Sequence, residues 1–495
     1  MNTTLRRRLL AILLLLTTAT MSAVASSSQA STGSAFIHLS PSASSPDTPV
    51  TVTGGGFRAG ETVNILFDRQ TWGSTTADRT GAIQATLFVP LSASPGNHTV
   101  KAIGAISRIT ASATCLVRTD WPQVGYDAAH TSFNSKENTL GTANVASLQL
   151  KWSFYLGSPT TSPVIAGGLA YEGSPGRVTA VDVATGSWKW TVGIKNDLVP
   201  GLASYGNVLF VASPDGSLFA LNQDDGSHLW NIPATCDPDW VSAAYAPAVE
   251  NGIVVVVGQG SCADRVTAYD VTTGTVEWTY QPAPGCVLDR RPAIGSKTVY
   301  VVYGWWGCSH PELLALDTST GTVQWQADLD PAYDLMADAP VVDAQHVYVA
   351  RFKVVGEGSL VNAFPVSCAT PCQPVWTTNE PYGVWAAPTL ANGLLYLTDV
   401  GGGLTARDAS SGAYVWGALV TNLGVESSPS VAGDVVYVGD DQGGVTAFTA
   451  NCQGTCWDIW ATAPPGSDPI LTAPAVSDGV LYLTKSGNLL AYALP

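Results

Sequence analysis

Between residues 36 and 117, apolar and polar positions alternate in short runs, 50–53, 62–67, 82–89, 98–103 and 109–117, each bounded by Gly, Pro or polar turn residues. A two-residue period puts one face of each run on a core and the other in water, which predicts strands and, at this spacing, a small all-β sandwich. Residues 26–49 are rich in Ser, Thr, Ala and Pro with little to bury and read as a linker, overlapped by the start of the sandwich at residue 36. Residues 118–147 form a connector with a short helix expected near 143–148, and from 148 to 495 the pattern changes again.

There tryptophan becomes periodic. Trp152, Trp190, Trp230, Trp278, Trp325, Trp376, Trp416 and Trp460 are separated by 38 to 51 residues, about 44 on average. That is the length of one four-stranded propeller blade and too long for ankyrin or tetratricopeptide units. Five copies of Ala-x-Asp/Asn-x-x-Thr/Ser/Asp-Gly-x-x-x-Trp stand at 180–190, 220–230, 268–278, 315–325 and 406–416. The pattern encodes a hairpin: the Asx side chain bonds backbone amides two residues on, Gly supplies a positive φ, and Trp closes the outer strand against the neighbouring blade. After Trp460 only three strands' worth of chain remains. Residues 148–152 are therefore expected to supply the fourth and close the circle, which removes a free sheet edge.

At this motif the chain resembles the pyrroloquinoline quinone (PQQ) repeat family, over residues 120–495. The resemblance implies an eight-bladed β-propeller, with seven blades as the alternative count. It also implies one of two roles: a non-catalytic binding or scaffold protein, or a PQQ- and calcium-dependent quinoprotein oxidoreductase acting on alcohols or sugars. Dehydrogenases of this family are typified by calcium held on Glu, Asn and Asp side chains, an Asp base, and a disulfide between adjacent cysteines beside the cofactor. This chain has no adjacent cysteines and no Cys-x-x-Cys-His for a covalent haem, so the first role, with no resident cofactor, is the expectation. The run TVTGGGFRAGETVNILFD at 51–68 resembles the immunoglobulin-like modules placed ahead of larger domains in bacterial secreted proteins. A third role, that of the lipoprotein propeller of the outer-membrane assembly machine, is disfavoured by that extra module and by the missing lipid-attachment Cys.

In two blades the hairpin is three residues longer. Cys368/Cys372 and Cys452/Cys456 stand eight and four residues before the Trp, where a disulfide across the turn replaces Asx and Gly. A four-Cys zinc site would need both pairs together, yet they lie two blades apart. Cys236 and Cys262 fall in one blade, Cys286 and Cys308 at nearly the same places in the next; bridges within each blade are the first choice among three connectivities. Cys115 is left unpaired.

Composition narrows the partners. Residues 6–8 are Arg, 9–16 apolar and 23–25 Ala-Val-Ala, which reads as a cleaved secretory signal and predicts a secreted or extracytoplasmic protein without a membrane span. The formal net charge is −16, with no basic run past the N-terminus, which excludes nucleic acid. A protein, glycan or small-molecule ligand remains. Three residues before the Pro that opens each inner strand, a ring of side chains is expected to face the channel mouth. Asp197, Asp289 and Glu426 converge there with Trp385 in the same ring, and Arg290, Arg291, Asp237, Asp239 and Trp240 lie in the same set of loops, a set able to hold a cation or polar ligand.

Overall fold

The computed structural model describes residues 34–157, 161–194, 201–213, 216–233, 245–258, 265–282, 291–304, 310–332, 335–336, 339–353, 358–421, 424–462, 469–470 and 472–495. Its N-terminal part is two sheets around one core. Strands Phe36–Ser40, Pro49–Gly55 and Ile83–Phe88 form one, and Ala43–Ser44, Thr110–Val117, Gly96–Gly104, Thr62–Phe67 and Gln70–Thr76 the other. Alternation does the sorting: Val50 and Val52 from one sheet meet Val63, Ile65 and Val100 from the other, all fully buried. Two expectations change. Residues 36–44 are strands and not linker, because Ile37 packs in the core and residues 36–40 pair with 51–55. The strand Gln70–Thr76 escaped notice because it is a polar edge whose one contribution to the core is Trp72. The lone Cys115 is buried in this core.

From residue 164 onward, antiparallel sheets of four principal strands follow one another, three of them extended by one short extra strand. The first is Val164–Ala166, Leu169–Ser174, Arg177–Asp182 and Trp188–Gly193. The last takes Ala475–Ser477, Val480–Lys485 and Asn488–Ala493 and receives Gln149–Tyr155 as its outer strand. Register confirms that the borrowed strand is equivalent to the others. Each docking Trp stands opposite an Ala of the third strand, as in Trp190 opposite Ala180 and Trp416 opposite Ala406, and Trp152 stands opposite Ala491. Each inner strand touches the next, and Ala475–Ser477 meets Val164–Ala166.

The indoles reach the following sheet. Nε1 of Trp152, Trp190, Trp230, Trp278, Trp325, Trp376 and Trp416 donates to the carbonyl of Val183, Gln223, Val271, Thr318, Val366, Ala409 and Ala450, at 2.8–3.1 Å. In four sheets a second-strand tyrosine hydroxyl donates to the same oxygen at 3.0–3.5 Å: Tyr171 to Gln223, Tyr300 to Val366, Tyr348 to Ala409 and Tyr396 to Ala450. The hairpin Gly has a further reason to be Gly. At Gly321 (φ +68°) an added Cβ would lie 2.5 Å from the Trp278 ring, so the preceding indole needs the bare backbone. Among the described residues Trp460 makes no such bond, and the buried Tyr437 hydroxyl of its sheet has no partner. In the closing sheet the third strand does not turn through a hairpin into its outer strand, so nothing there receives the indole.

Where the hairpins are longer, Cys368–Cys372 and Cys452–Cys456 are disulfides. Both lie on the outer edge of the sheet before them: Cys372 N–H donates to Gln326 O at 2.8 Å, and Gly454–Thr455 pairs with Trp416–Gly417. Cys236, Cys262, Cys286 and Cys308 lie outside the described residues.

The connector holds what sequence reasoning did not foresee. The expected helix is one 3-10 turn, Val145–Ser147. Residues 119–134 wind round the axis and bond to the inner strands in order. Trp121 exchanges two backbone bonds with Ile165, Ser204 N–H donates to Pro122 O, and the Gln123 amide brackets Val249 through Nε2 (2.8 Å) and Oε1 (3.0 Å). Ile294, Val342, Leu390 and Val431 donate to the carbonyls of Ala128, Ala129, Thr131 and Ser132. Asn134 Nδ2 then donates both to Val476 O and back to Thr119 O, each at 2.8 Å. An inner strand otherwise presents unpaired backbone groups to the channel; this loop satisfies them.

Candidate functional site at the channel mouth

Because the loop fills the axis at mid-strand, the opposite end of the channel is a blind cavity of about 320 Å³. Val124, Gly125, His130 and Ser132 of the loop floor it, and Arg291, Phe352, Trp385 and Glu426 stand on the wall. His130 is buried, its Nδ1 3.1 Å from Val124 O and its Nε2 2.9 Å from Pro292 O, which ties the floor to the wall. The Trp385 indole stacks on Phe352, centroids 5.5 Å apart, and remains 45% exposed, so one ring face is open to the cavity mouth. Arg291 is buried. Burial, then the Asp441 carboxylate, pushes Glu426 above the ordinary glutamate range.

Two of the expected site residues, Trp385 and Glu426, therefore share one cavity; Asp197, Asp237, Asp239, Trp240, Asp289 and Arg290 lie outside the described residues. Arg291, expected near the mouth, lines the cavity as well, whereas sequence reasoning passed over His130 and Glu172. Glu172 is fully buried on the second strand of its sheet, where the other sheets carry Val or Leu: Val211, Val256, Val301, Val349, Leu397, Val438 and Leu483. That mismatch in an aligned repeat is the signal that would have found it. Thr161 Oγ1 donates to Oε2 at 3.2 Å, while Oε1 is buried without a partner. Burial pushes this carboxyl well above its ordinary value, which the Thr161 bond only partly offsets.

A raised carboxyl pKa means the folded state holds the proton more tightly than the unfolded chain. Stability from this group is greatest below about 4.5 and falls as pH rises. Glu172→Leu, matching the other sheets, is accordingly expected to stabilise the protein by about 1–3 kcal/mol at pH 8 and by little at pH 4.5. Urea titrations of both chains at the two pH values check this.

The donor set bears on calcium and PQQ. Calcium takes six to eight oxygens, usually with several carboxylates. The described wall supplies one carboxyl, Glu426, whose pKa burial raises, and it shares the cavity with a guanidinium. Those residues do not fit a calcium ion. Arg291 and Trp385 place a guanidinium and an open aromatic face on the same wall.

Comparison with known proteins agrees with this architecture. The family model described as outer membrane protein assembly factor BamB matches residues 174–418 and 312–494. The chain is 28% identical over 278 residues to outer membrane protein assembly factor BamB of Bordetella pertussis, covering 54% of this chain and 68% of that one. It is 31% identical over 185 residues to the quinohemoprotein alcohol dehydrogenase of Comamonas testosteroni, 34% of this chain; it spans only 26% of that relative's length. The crystal structure of the latter superposes with a TM-score of 0.61 at 18% identity, covering 76% of this chain and 80% of that one. BamB from Moraxella catarrhalis gives 0.52, also at 18% identity, covering 70% and 97%. With its Trp-latched antiparallel sheets and a family match running from residue 174 to 494, the chain belongs to the PQQ-repeat β-propeller family described by BamB.

Proposed function

We propose that this is an extracytoplasmic, non-catalytic binding protein: an immunoglobulin-like sandwich carried on an eight-bladed propeller whose channel mouth takes the ligand. The succession of inner strands, the last touching the first, supports the blade count. Two disulfides support an oxidising compartment, and among the described residues no helix is long and apolar enough to cross a membrane. The observation that carries the functional reading is the cavity lining. It joins a guanidinium, an open indole and a carboxyl, a set suited to a polar ligand, and among the described residues it brings together no carboxylate set for a metal.

The second reading, a PQQ- and calcium-dependent dehydrogenase, is favoured by the alcohol dehydrogenase relatives and is separable by one assay. The protein is incubated with PQQ and calcium and dye reduction is followed with a panel of alcohols and sugars. No turnover above the protein-free control is expected. Sustained turnover that Trp385→Ala abolishes would reverse the proposal.

A further inference from the structure

Strand Thr110–Val117 delivers the chain to the axial loop at its last residue, so the turn before its first residue belongs to the opposite end of the sandwich. Three loops meet there, 56–61, 77–82 and 104–109. Glu61, buried, clasps two of them: its carboxylate accepts from the N–H of Arg58 (2.8 Å), Ile106 (3.1 Å) and Ser107 (2.8 Å) and from the Ser107 hydroxyl (2.6 Å). The third is tied in by Gly60 N–H to Ala77 O at 2.9 Å and by Phe57 N–H to Gly81 O at 3.2 Å. The first strand starts at the same end, with Phe36 paired to Gly55.

What this end presents outward runs against the composition of the chain. Ile106 is 64% exposed, Phe36 52% and Ile109 38%. Arg58, Arg79 and Arg108 stand exposed in the same three loops, against one exposed carboxylate, Asp78. Among the described residues none of the three guanidiniums makes an ion pair. The chain as a whole has a net charge of −16, yet carboxylates more than a Debye length away, about 8 Å, are screened, and a partner at this end meets the local excess of arginine. Arginine selects an anionic partner, and the exposed alkyl groups select one with an apolar layer beneath its charges. A bilayer of anionic lipid has both: the alkyl groups enter the acyl boundary while the guanidiniums stay among the phosphates. The Glu61 bonds hold the loops in place beforehand, so contact requires little further ordering.

We propose that the free end of the sandwich docks on an anionic lipid bilayer, with Arg58, Arg79 and Arg108 at the headgroups and Ile106, Ile109 and Phe36 at the acyl boundary. The segment read as a secretory signal joins the sandwich at this end, so export itself brings the tip to a membrane. The surface is separate from the channel mouth and does not depend on what that cavity takes.

The test is flotation of the exported chain, residues 26–495, with vesicles of phosphatidylglycerol and phosphatidylcholine in about equal parts, against vesicles of phosphatidylcholine alone. Binding to the anionic vesicles is expected to saturate, to be roughly tenfold tighter or more than to the neutral ones, and to weaken as salt is added. Arg58→Gln combined with Arg108→Gln should weaken it by about tenfold or more, and Ile106→Ser by about fivefold, with the thermal transition unmoved because all three side chains are exposed. Leu419→Ser, an equally exposed position on a propeller outer strand, leaves binding unchanged. Equal binding to both kinds of vesicle, or binding indifferent to either the arginine or the isoleucine substitutions, would overturn the proposal. So would polyglutamate bound as tightly as the vesicles and indifferently to Ile106→Ser, which would assign the arginines to an acidic polypeptide.

Discussion

A chain beginning at Leu148, with the sandwich and axial loop removed, will not give a cooperatively folded propeller. Residues 119–134 supply a bond to every inner strand around the axis, and Trp121, Val124 and Ala128 bury apolar surface against them. At about 1 kcal/mol for each hydrogen bond, the loss is on the order of 10 kcal/mol before the apolar burial is counted, as large as the entire stability of an ordinary domain. Near-ultraviolet circular dichroism and thermal melting of the truncated chain should show lost side-chain order and no sharp transition. A sharp transition within a few degrees of the whole chain would mean that the inner strands hold the ring unaided. The point version is gentler: Asn134→Leu removes the bond to Thr119 O that joins the two ends of the loop and the bond to Val476 O of the last inner strand, and should cost about 1–3 kcal/mol.

The second large effect is at the latches, which are unequal. Trp416 is fully buried and donates to Ala450 O, which also receives the Tyr396 hydroxyl. Trp416→Ala is expected to lose about 3–5 kcal/mol, the usual cost of a large cavity, with two sheets losing their shared contact. Trp460 is partly exposed, lacks the onward bond, and leans instead on Tyr492, centroids 5.8 Å apart. Trp460→Ala should cost roughly half as much. Denaturant titrations of the two variants side by side rank them, and equal losses would show that the bond to the next sheet contributes nothing.

The repeat was legible because its chemistry is local. Gly, Asx and Trp within eleven residues specify a turn and a docking contact, and the borrowed strand followed from counting strands to the end of the chain. The two disulfides were legible for the same reason, each being confined to one hairpin. The axial loop was not legible. Its bonds are made largely by backbone groups, which carry no sequence signature, and its side-chain contacts join Gln123 to Val249 and Asn134 to Val476, 126 and 342 residues apart. The candidate site fell between these cases. Trp385 and Glu426 were located by their offset from the inner-strand Pro, and Arg291 by its place in the loops beside it. Glu172 is legible only when the repeats are aligned to one another, because its signal is a break in the apolar second strand and not in the turn motif.

The axial loop also has a temporal meaning. Synthesis delivers residues 119–134 before any of the sheets they touch, so the hub exists before its spokes. Each sheet, on emerging, finds the next free stretch of loop waiting and is given its place by contact with it, rather than by search among its siblings. The last arrival, residues 475–493, must find a strand made more than three hundred residues earlier, and the hub is what keeps that strand's neighbourhood in order until then.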